Sequence, residues 1–315
     1  MMLVPAIAAL NDKQRFNSQR VVSVLRLAVE ESDGNSVDSL LAGLESVSQA
    51  REGTNKGDAA NEIRTYIQET NLDEYEQYYE QVRDAGVTVL TVLENEFPEQ
   101  LESILSTPLC LYIRGDVGSI HDGISIVGTR SATSHRVDMA HRIAQRIVQE
   151  FDLPVISGLA NGIDEAAHRG AIDAEGKTVA ALPGDIESIK PASNKELAQK
   201  ISENGALLSE VSKLVGFHNG RYLERNRITS GLSRAVIVVA SKDSGGTIKQ
   251  AKLAKEQGKP RFIYKSPDQD GQTPEKLVQD LGFKKFRTID ELIQLISDSN
   301  VKSVDSDGNL TFDSF

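Results

Sequence analysis

The sequence of 315 residues contains no tryptophan and a single cysteine, Cys110. One cysteine cannot form a disulfide within the chain or a cysteine-based zinc site. Because Cys110 lies in the apolar run LCLYIRG, we expect it to be a buried core residue in a reducing compartment. The five histidines are scattered without paired ligand spacing, so we expect no metal site.

Long apolar runs are also absent, and the longest have the length of a β-strand. A membrane-spanning helix needs about 20 consecutive apolar residues, so we expect no membrane segment. The first residues, MMLVPAIAALNDKQ, lack the basic region and the small-residue cleavage site of a signal peptide. We therefore expect a cytoplasmic protein whose length is sufficient to bury a large core.

Basic residues are in the minority, with 35 Lys and Arg against 46 Asp and Glu and a net charge of −11. Residues 1–120 carry 9 basic against 20 acidic residues, residues 121–265 carry 21 against 16, and residues 266–315 carry 5 against 10. The excess of positive charge is therefore confined to the centre of the chain. This central segment can meet a polyanion, although solvated surface charge is the alternative interpretation.

Hydrophobic periodicity changes near Val87. Before it, apolar residues recur at three- and four-residue spacing, as in SQRVVSVLRLAVEE, which predicts a small helical domain over residues 1–84. After it, short apolar runs such as ISIVG, LPVIS and RAVIVVA alternate with helical stretches. This alternation predicts an α/β fold with a largely parallel, doubly wound sheet over residues 85–298. Residues 299–315 are polar and are predicted to form a flexible tail.

Several of these apolar runs end in small-residue turns that open a helix. Such a turn presents free backbone N–H groups and the positive end of the helix dipole, which together suit phosphate. Turns after parallel strands meet at the carboxyl edge of a sheet, so we expect one phosphate-binding site there. A structural tight turn and a salt-bridged surface are the alternatives for its glycines and arginines. The predicted site residues are Gly128, Thr129, Arg130, Ser157, Gly158, Ala160, Asn161, Gly162, Arg221, Arg225, Asn226, Arg227, Ser244, Gly245, Gly246, Thr247 and Lys249.

Asp164 and His168 lie four residues apart at the start of a predicted helix, and therefore on one helix face. They are either part of the site or structural residues that support it. In the structural interpretation, Asp164 caps the helix or organises the turn and His168 is its hydrogen-bonded partner.

The order and spacing of several motifs point to one family. They are FPEQL with LYIRG, VGTR, SGLANGIDEAAHRGAIDAEGKTVA, GALLSE, ERNRITSGLS and SGGTIKQA. From about Thr91 to about Ile296, the chain resembles the DNA processing protein A (DprA/Smf) family. The resemblance implies an extended Rossmann-like fold without redox or hydrolytic chemistry. It also implies a homodimer that binds and protects single-stranded DNA and loads a RecA-type recombinase during DNA uptake or recombination.

The chain departs from the family pattern at several turns, which makes it a divergent member. Ser134-His135 replace Tyr-Gly after the first turn, Pro183–Ile186 replace Gly-x-Gly-Leu, Lys190 replaces Tyr, and Gly246 replaces the second Ser of Ser-Gly-Ser. Aromatic residues make up only 5% of the chain. We therefore expect surfaces that stack nucleic-acid bases to be scarce.

Two other functions fit the same turns. The lysine-decarboxylase-like nucleoside-phosphate hydrolases carry Gly-Gly-x-Gly-Thr-x-x-Glu at the equivalent turn, but Gln250 stands here where their catalytic Glu would be. An amide cannot act as a general base, so we expect no enzyme activity. A sensor of a small nucleotide is the second alternative. No Gly-x-Gly-x-x-Gly follows a predicted strand, so we expect no dinucleotide cofactor.

Overall fold

The computed structural model describes residues 2–32, 34–268 and 270–299, apart from the side chain of Gln14. The chain begins with five α-helices. Four of them are preceded by a polar residue whose side chain accepts a hydrogen bond from a backbone N–H of the first turn. Such caps satisfy donors that have no partner within a helix. The five helices are α1 (Leu3–Asp12), α2 (Gln19–Glu30), α3 (Val37–Ala50), α4 (Asn55–Glu69) and α5 (Leu72–Asp84).

The strands that follow form a single sheet in the order β1-β2-β6-β5-β4-β3-β7-β8-β9. Strands β1 and β2 pair antiparallel to each other, β2 pairs antiparallel to β6, and every other pair is parallel. The strands are β1 (Thr88–Thr91), β2 (Cys110–Gly115), β3 (Gly123–Gly128), β4 (Val155–Ser157), β5 (Thr178–Ala181), β6 (Ala206–Ser209), β7 (Ser233–Ala240), β8 (Arg261–Tyr264) and β9 (Lys284–Phe286).

Helices cover both faces of this sheet, because alternate residues of each strand point to opposite sides. In β7, Ala235, Ile237 and Val239 pack in the cluster that contains α7 and α8. Val236 and Val238 pack in the cluster that contains α11 and α12. The helices after α5 are α6 (Glu99–Glu102), α7 (Ser134–Phe151), α8 (Ile163–Asp173), α9 (Lys195–Asn204), α10 (Arg221–Gly231), α11 (Gly246–Glu256), α12 (Glu275–Gln279) and α13 (Ile289–Ser297).

The direction of the chain through the sheet reverses between β3 and β7. From β3 the chain builds outward through β4 and β5 to β6, and from β7 it builds outward in the other direction to β9. Open α/β sheets bind ligands in the crevice that forms at the carboxyl end of such a reversal point. The prediction of a Rossmann-like, largely parallel sheet preceded by helices is therefore confirmed, and the fold directs attention to the ends of β3 and β7.

The helical N-terminal region contributes no strand to the sheet within the described residues, although Met2 and Ser36 form an isolated bridge with each other. Residues of α1 to α4 share one hydrophobic cluster with β1, β2, β5 and β6. Asn11 also joins the two regions, since its side chain donates to the Glu210 carbonyl at 2.6 Å and accepts from the Leu109 N–H at 2.8 Å. The division at residue 84 into separate domains stays a prediction, and all but Ser299 of the predicted tail lies outside the described residues.

Three of the sequence-based expectations concern Cys110, membrane-spanning helices and metal sites. Cys110 is buried in β2, and burial raises the pKa of its thiol well above the usual range. Across residues 2–299, wherever the structure describes them, we find no helix with the length and apolarity needed to cross a bilayer. The same residues contain no cluster of three or more His, Cys, Asp or Glu side chains that could hold a metal ion.

Candidate functional site

A cleft of about 460 Å³ lies at the carboxyl ends of β3 and β7. We call it the switch-point cleft, because the chain reverses direction there. Four segments form it: the turn after β3, the start of α8, helix α10, and the turn after β7. Its lining residues are Gly128, Thr129, Arg130, Ser131, Ala160, Asp164, Asn219, Tyr222, Leu223, Arg225, Asn226, Lys242, Ser244, Gly245, Gly246, Thr247 and Gln250.

The turn after β7 delivers the N-terminus of α11 to this cleft. Gly245 has φ +113°, a conformation that residues with a side chain rarely adopt. The first hydrogen bond of α11 runs from the Lys249 N–H to the Gly245 carbonyl at 3.2 Å. The N–H groups of Gly246, Thr247 and Ile248 therefore have no partner within the helix. Free amides together with the helix dipole make this turn suitable for an anion.

Arg225 is the most deeply placed cation of the cleft, with only 6% of its surface exposed. Its Nη1 donates to the Gly158 carbonyl at 2.8 Å and also to the Ala181 carbonyl. A side chain on Gly158 would collide with the guanidinium, since a Cβ there would lie 2.5 Å from the Arg225 Cζ. Within the described residues, no carboxylate lies within 4 Å of the Arg225 guanidinium. Buried charges are almost always paired, so this guanidinium can pair with an anion that enters the cleft.

Among acidic groups, Asp164 has the largest electrostatic effect on this guanidinium. It is buried at the start of α8, and burial raises its pKa. The positive charge of Arg225 and the backbone N–H of Ala160 lower that pKa and partly offset the effect of burial. Burial in turn lowers the pKa of Arg225, but a guanidinium remains protonated in proteins. Asp164 therefore tempers the charge of Arg225 without closing an ion pair with it.

Two exposed cations and one buried amide complete the lining of the cleft. The Arg130 guanidinium lies 4.8 Å from the ring centroid of Tyr222, a cation–π distance. Lys242 is exposed on the opposite turn. Gln250 is 7% exposed, and its side-chain nitrogen has no hydrogen-bond partner among the described residues. A buried donor without a partner is costly, so Gln250 is available to bind a ligand acceptor.

Two of the predicted residues, Ser157 and His168, make buried hydrogen bonds within the fold. Ser157 is buried and donates to the Ile126 carbonyl at 2.7 Å. His168 is also buried, and its Nδ1 lies 2.6 Å from the hydroxyl of Thr178. That hydroxyl donates to the Val155 carbonyl, so it accepts from His168. Burial, and then the charge of Arg225, lowers the pKa of His168 to about 3. His168 is therefore neutral and its identified partner is Thr178 rather than Asp164.

Other predicted residues lie outside the cleft lining. Arg227 is turned away from the cleft, and its Nη1 and Nη2 bind the two carboxylate oxygens of Glu210 at 2.7 and 2.6 Å. Arg221 is buried and pairs with Glu224 at 3.2 Å. The structure therefore does not place these two arginines in the cleft lining with Arg225. Arg227, two residues after Arg225, points in another direction from the helix, whereas Arg221, about one turn before Arg225, pairs with Glu224. Gly158, Asn161, Gly162 and Lys249 lie close by in sequence but do not line the cleft.

Sequence reasoning missed the aromatic residues beside the cleft. Tyr222 lines it and packs against Phe217 with ring centroids 5.7 Å apart and the planes nearly perpendicular. Two cations flank this pair, since Lys190 lies over Phe217 and Arg130 lies over Tyr222. Composition counts aromatics but does not locate them, so the low total hid a local cluster. The only available signal was their position in the segment that leads into the arginine-rich helix.

Comparisons with known proteins find related sequences. The family model described as DNA recombination-mediator protein A matches residues 88–297. Among curated proteins, DNA processing protein DprA of Bacillus subtilis is 31% identical over 241 residues, covering 73% of this chain and 80% of that protein. Protein Smf of Synechocystis is 34% identical over 208 residues, covering 64% of this chain and 52% of that protein.

Solved structures give a similar result. The X-ray structure of DNA processing protein A from Streptococcus pneumoniae superposes with a TM-score of 0.72 and 23% identity, covering 93% of this chain and 98% of that one. This likeness concerns the fold. A structure of DNA processing protein A from Helicobacter pylori, described in terms of its single-stranded DNA binding mode, has a TM-score of 0.59 and 26% identity. It covers 67% of this chain and 96% of its own.

Proposed function

Because the chain belongs to the DNA recombination-mediator protein A family, we propose that it binds single-stranded DNA through the switch-point cleft. The observation that carries the proposal is the buried Arg225 guanidinium, which has no carboxylate within 4 Å among the described residues. A phosphate is the anion that suits this place, because Gly246 and Thr247 at the N-terminus of α11 line the same cleft. Backbone phosphates carry no sequence information, so binding should be nearly indifferent to base sequence.

The mode of contact predicts a specific dependence on salt. Each cation that neutralises a phosphate of a single strand contributes about −0.7 to the slope of log affinity against log salt. Arg130, Arg225 and Lys242 all line the cleft, and three contacts give a slope of about −2. Additional cations outside the cleft that contact phosphates of the bound DNA would make this slope steeper.

The test is a titration of labelled oligo-dT against the full chain at several salt concentrations, with dTMP and a duplex as competitors. The proposal predicts that oligo-dT binds much more tightly than dTMP, with a slope of about −2 or steeper. The mononucleotide is included because a cleft of about 460 Å³ is also large enough for one small ligand. If dTMP competes as well as oligo-dT at equal nucleotide concentration, the nucleotide-sensor alternative replaces this proposal.

We also propose that the protein performs no turnover at this site. Gln250 lines the cleft where a hydrolase of the related group would place a carboxylate, and an amide cannot accept a proton as a general base. Incubation with nucleoside monophosphates and NAD, followed by chromatography, should show no product. Release of free base that disappears in an Arg130→Ala variant would contradict this assignment.

The cellular role that we propose follows from family membership. The protein would protect single-stranded DNA and assist loading of a RecA-type recombinase in DNA uptake or recombination, acting as a homodimer in the cytoplasm. Light scattering of the full chain tests the dimer. A strand-exchange assay on DNA coated with single-strand-binding protein tests loading, and no acceleration by this protein would contradict that part of the proposal.

A further inference from the structure

The exposed ring of Phe217 lies just outside the switch-point cleft. It belongs to the loop between β6 and α10, and 38% of its surface is exposed, which is unusual for a phenylalanine. Phe217 also approaches the loop after β5, since a Cβ on Gly184 would lie 3.4 Å from its Cδ2. The ring therefore lies between two loops at the carboxyl edge of the sheet and presents part of its surface to solvent.

Short contacts connect this ring to the cleft. The Lys190 ammonium lies 3.3 Å from the centroid of Phe217, and Phe217 packs edge-to-face with Tyr222 at 5.7 Å. Tyr222 in turn carries the Arg130 guanidinium over its ring at 4.8 Å. Two adjacent aromatic rings thus lie between two cations, in a chain of contacts that runs from Arg130 at the cleft outward to Lys190. A ligand confined to the cleft would not reach the outer end of this chain of contacts.

Aromatic rings flanked by cations match the chemistry of an unpaired polynucleotide. A single strand presents a phosphate and an aromatic base in each repeat, and proteins that bind it combine a cationic path with stacking surfaces. Lys190 has a flexible stem, so its ammonium can move from the Phe217 face to a phosphate when a base occupies that face. A duplex has its bases stacked internally and offers none to Phe217.

We propose that Phe217 and Lys190 form a second subsite for single-stranded DNA, which rests on the function proposed above. Phe217 stacks on one unpaired base outside the cleft, and Lys190 neutralises the phosphate next to that base. The subsite extends the strand beyond the cleft, so it serves a polynucleotide and not a mononucleotide. Stacking tolerates any base, because every base has an aromatic face.

The experiment compares Phe217→Leu with wild type, since leucine keeps the apolar volume and removes the aromatic face. Leu214→Ala is the matched control, because Leu214 is similarly exposed in the same loop and takes no part in the contacts between these rings and cations. The ligands are labelled dT20 and a strand of the same length that is abasic throughout. Phe217→Trp, which enlarges the aromatic face, shows whether stacking restores binding.

We expect Phe217→Leu to weaken binding of dT20 by about 5- to 10-fold, within the range of one stacked base. Binding of the abasic strand should be unchanged, Phe217→Trp should match wild type, and Leu214→Ala should have no effect. Lys190→Ala should flatten the salt slope by about 0.7. Unchanged dT20 affinity in Phe217→Leu, or an equal loss on the abasic strand, would overturn the subsite. Failure of wild type to bind dT20 more tightly than dTMP would instead overturn the proposed function, together with this inference.

Discussion

Two of the buried arginines of helix α10, Arg225 and Arg227, lie in opposite electrostatic environments. Arg227 donates to both carboxylate oxygens of Glu210 and to the Ser106 carbonyl at 2.7 Å. Arg225 donates to backbone carbonyls and to the Asn226 side chain, which leaves its charge without a carboxylate partner within 4 Å among the described residues. The sequence RNR gives no hint of this difference. The contrast shows that the partner of a buried cation, rather than the depth of its burial, distinguishes a structural arginine from one that is available to a ligand.

The same contrast holds between the surroundings of the two arginines. Near Arg227, polar groups of α1 and of the segment after β6 satisfy one another: Asn11 donates to the Glu210 carbonyl and Ser212 donates to the Asp12 carboxylate. We call this region the α1 joint. In the switch-point cleft, by contrast, the side-chain nitrogen of Gln250 has no hydrogen-bond partner among the described residues. The joint should therefore govern stability, and the cleft should govern binding.

The largest effect on the free energy of unfolding should come from Arg227→Ala in the α1 joint. Removing one partner of a buried ion pair leaves the Glu210 carboxylate uncompensated, which typically costs about 3–5 kcal/mol. We expect a loss of that size in the free energy of unfolding measured with urea. Arg114→Ala is the control, since Arg114 forms a more exposed pair with Glu187 and exposed pairs contribute about 0–1 kcal/mol. Equal losses in the two variants would contradict the assignment of the joint.

A pH-dependent effect of intermediate size should appear at Asp12. Burial raises its pKa to about 6 from 3.8, although hydrogen bonds from Ser212 oppose the shift. Ionised Asp12 therefore costs folding free energy above pH 6, and this cost disappears as pH falls from about 6 toward 4. Asp12→Asn should exceed wild type in unfolding free energy by about 2–3 kcal/mol at pH 8, and the difference should vanish near pH 4.

Denaturation of both proteins at pH 8 and pH 4 measures this difference. Asp58→Asn is the control, because Asp58 is exposed on α4 and should gain no stability at either pH. An Asp12→Asn variant that is less stable than wild type at pH 8 would show that the ionised carboxylate holds the joint together.

A smaller effect, on binding alone, should come from Arg130→Ala. Arg130 is exposed at the cleft and makes no ion pair among the described residues, so its loss should leave stability within about 0.5 kcal/mol. Loss of one charge-assisted phosphate contact should weaken oligo-dT binding about 10-fold and flatten the salt slope by about 0.7. Arg142→Ala, exposed on α7, should change neither quantity. The comparison breaks down if Arg130→Ala destabilises the fold or leaves binding unchanged.

The smallest effect should come from Lys249→Ala, because Lys249 lies in the first turn of α11 but does not line the cleft. An exposed cation at that distance acts through screened attraction, and we expect a loss of about 2-fold in affinity for oligo-dT. Lys252→Ala on the next turn is the matched control and should show no change. A loss as large as that of Arg130→Ala would place the strand along α11 instead of in the cleft.

The sequence predicts the fold well because its strongest signals are local. Alternating apolar runs and glycine turns specify βαβ units, and the turns at Gly128 and Gly245 do reach one edge of the sheet. It predicts individual site residues less well, because the role of a side chain depends on distant partners. Arg227 meets Glu210, 17 residues away, and His168 meets Thr178, 10 residues away. No periodicity reports such pairs, and none reports that Phe217 packs against Tyr222.

The most direct test of the central claim is hydrogen–deuterium exchange of the full chain with and without saturating oligo-dT. The amides of Gly246, Thr247 and Ile248 should exchange fast without DNA. Bound DNA should protect them, because phosphate oxygens would accept hydrogen bonds from their N–H groups. Peptides that cover the turn after β3 should also gain protection. Those that cover the α1 joint should not change. Protection confined to residues 3–84, or absent from the start of α11, would contradict the account.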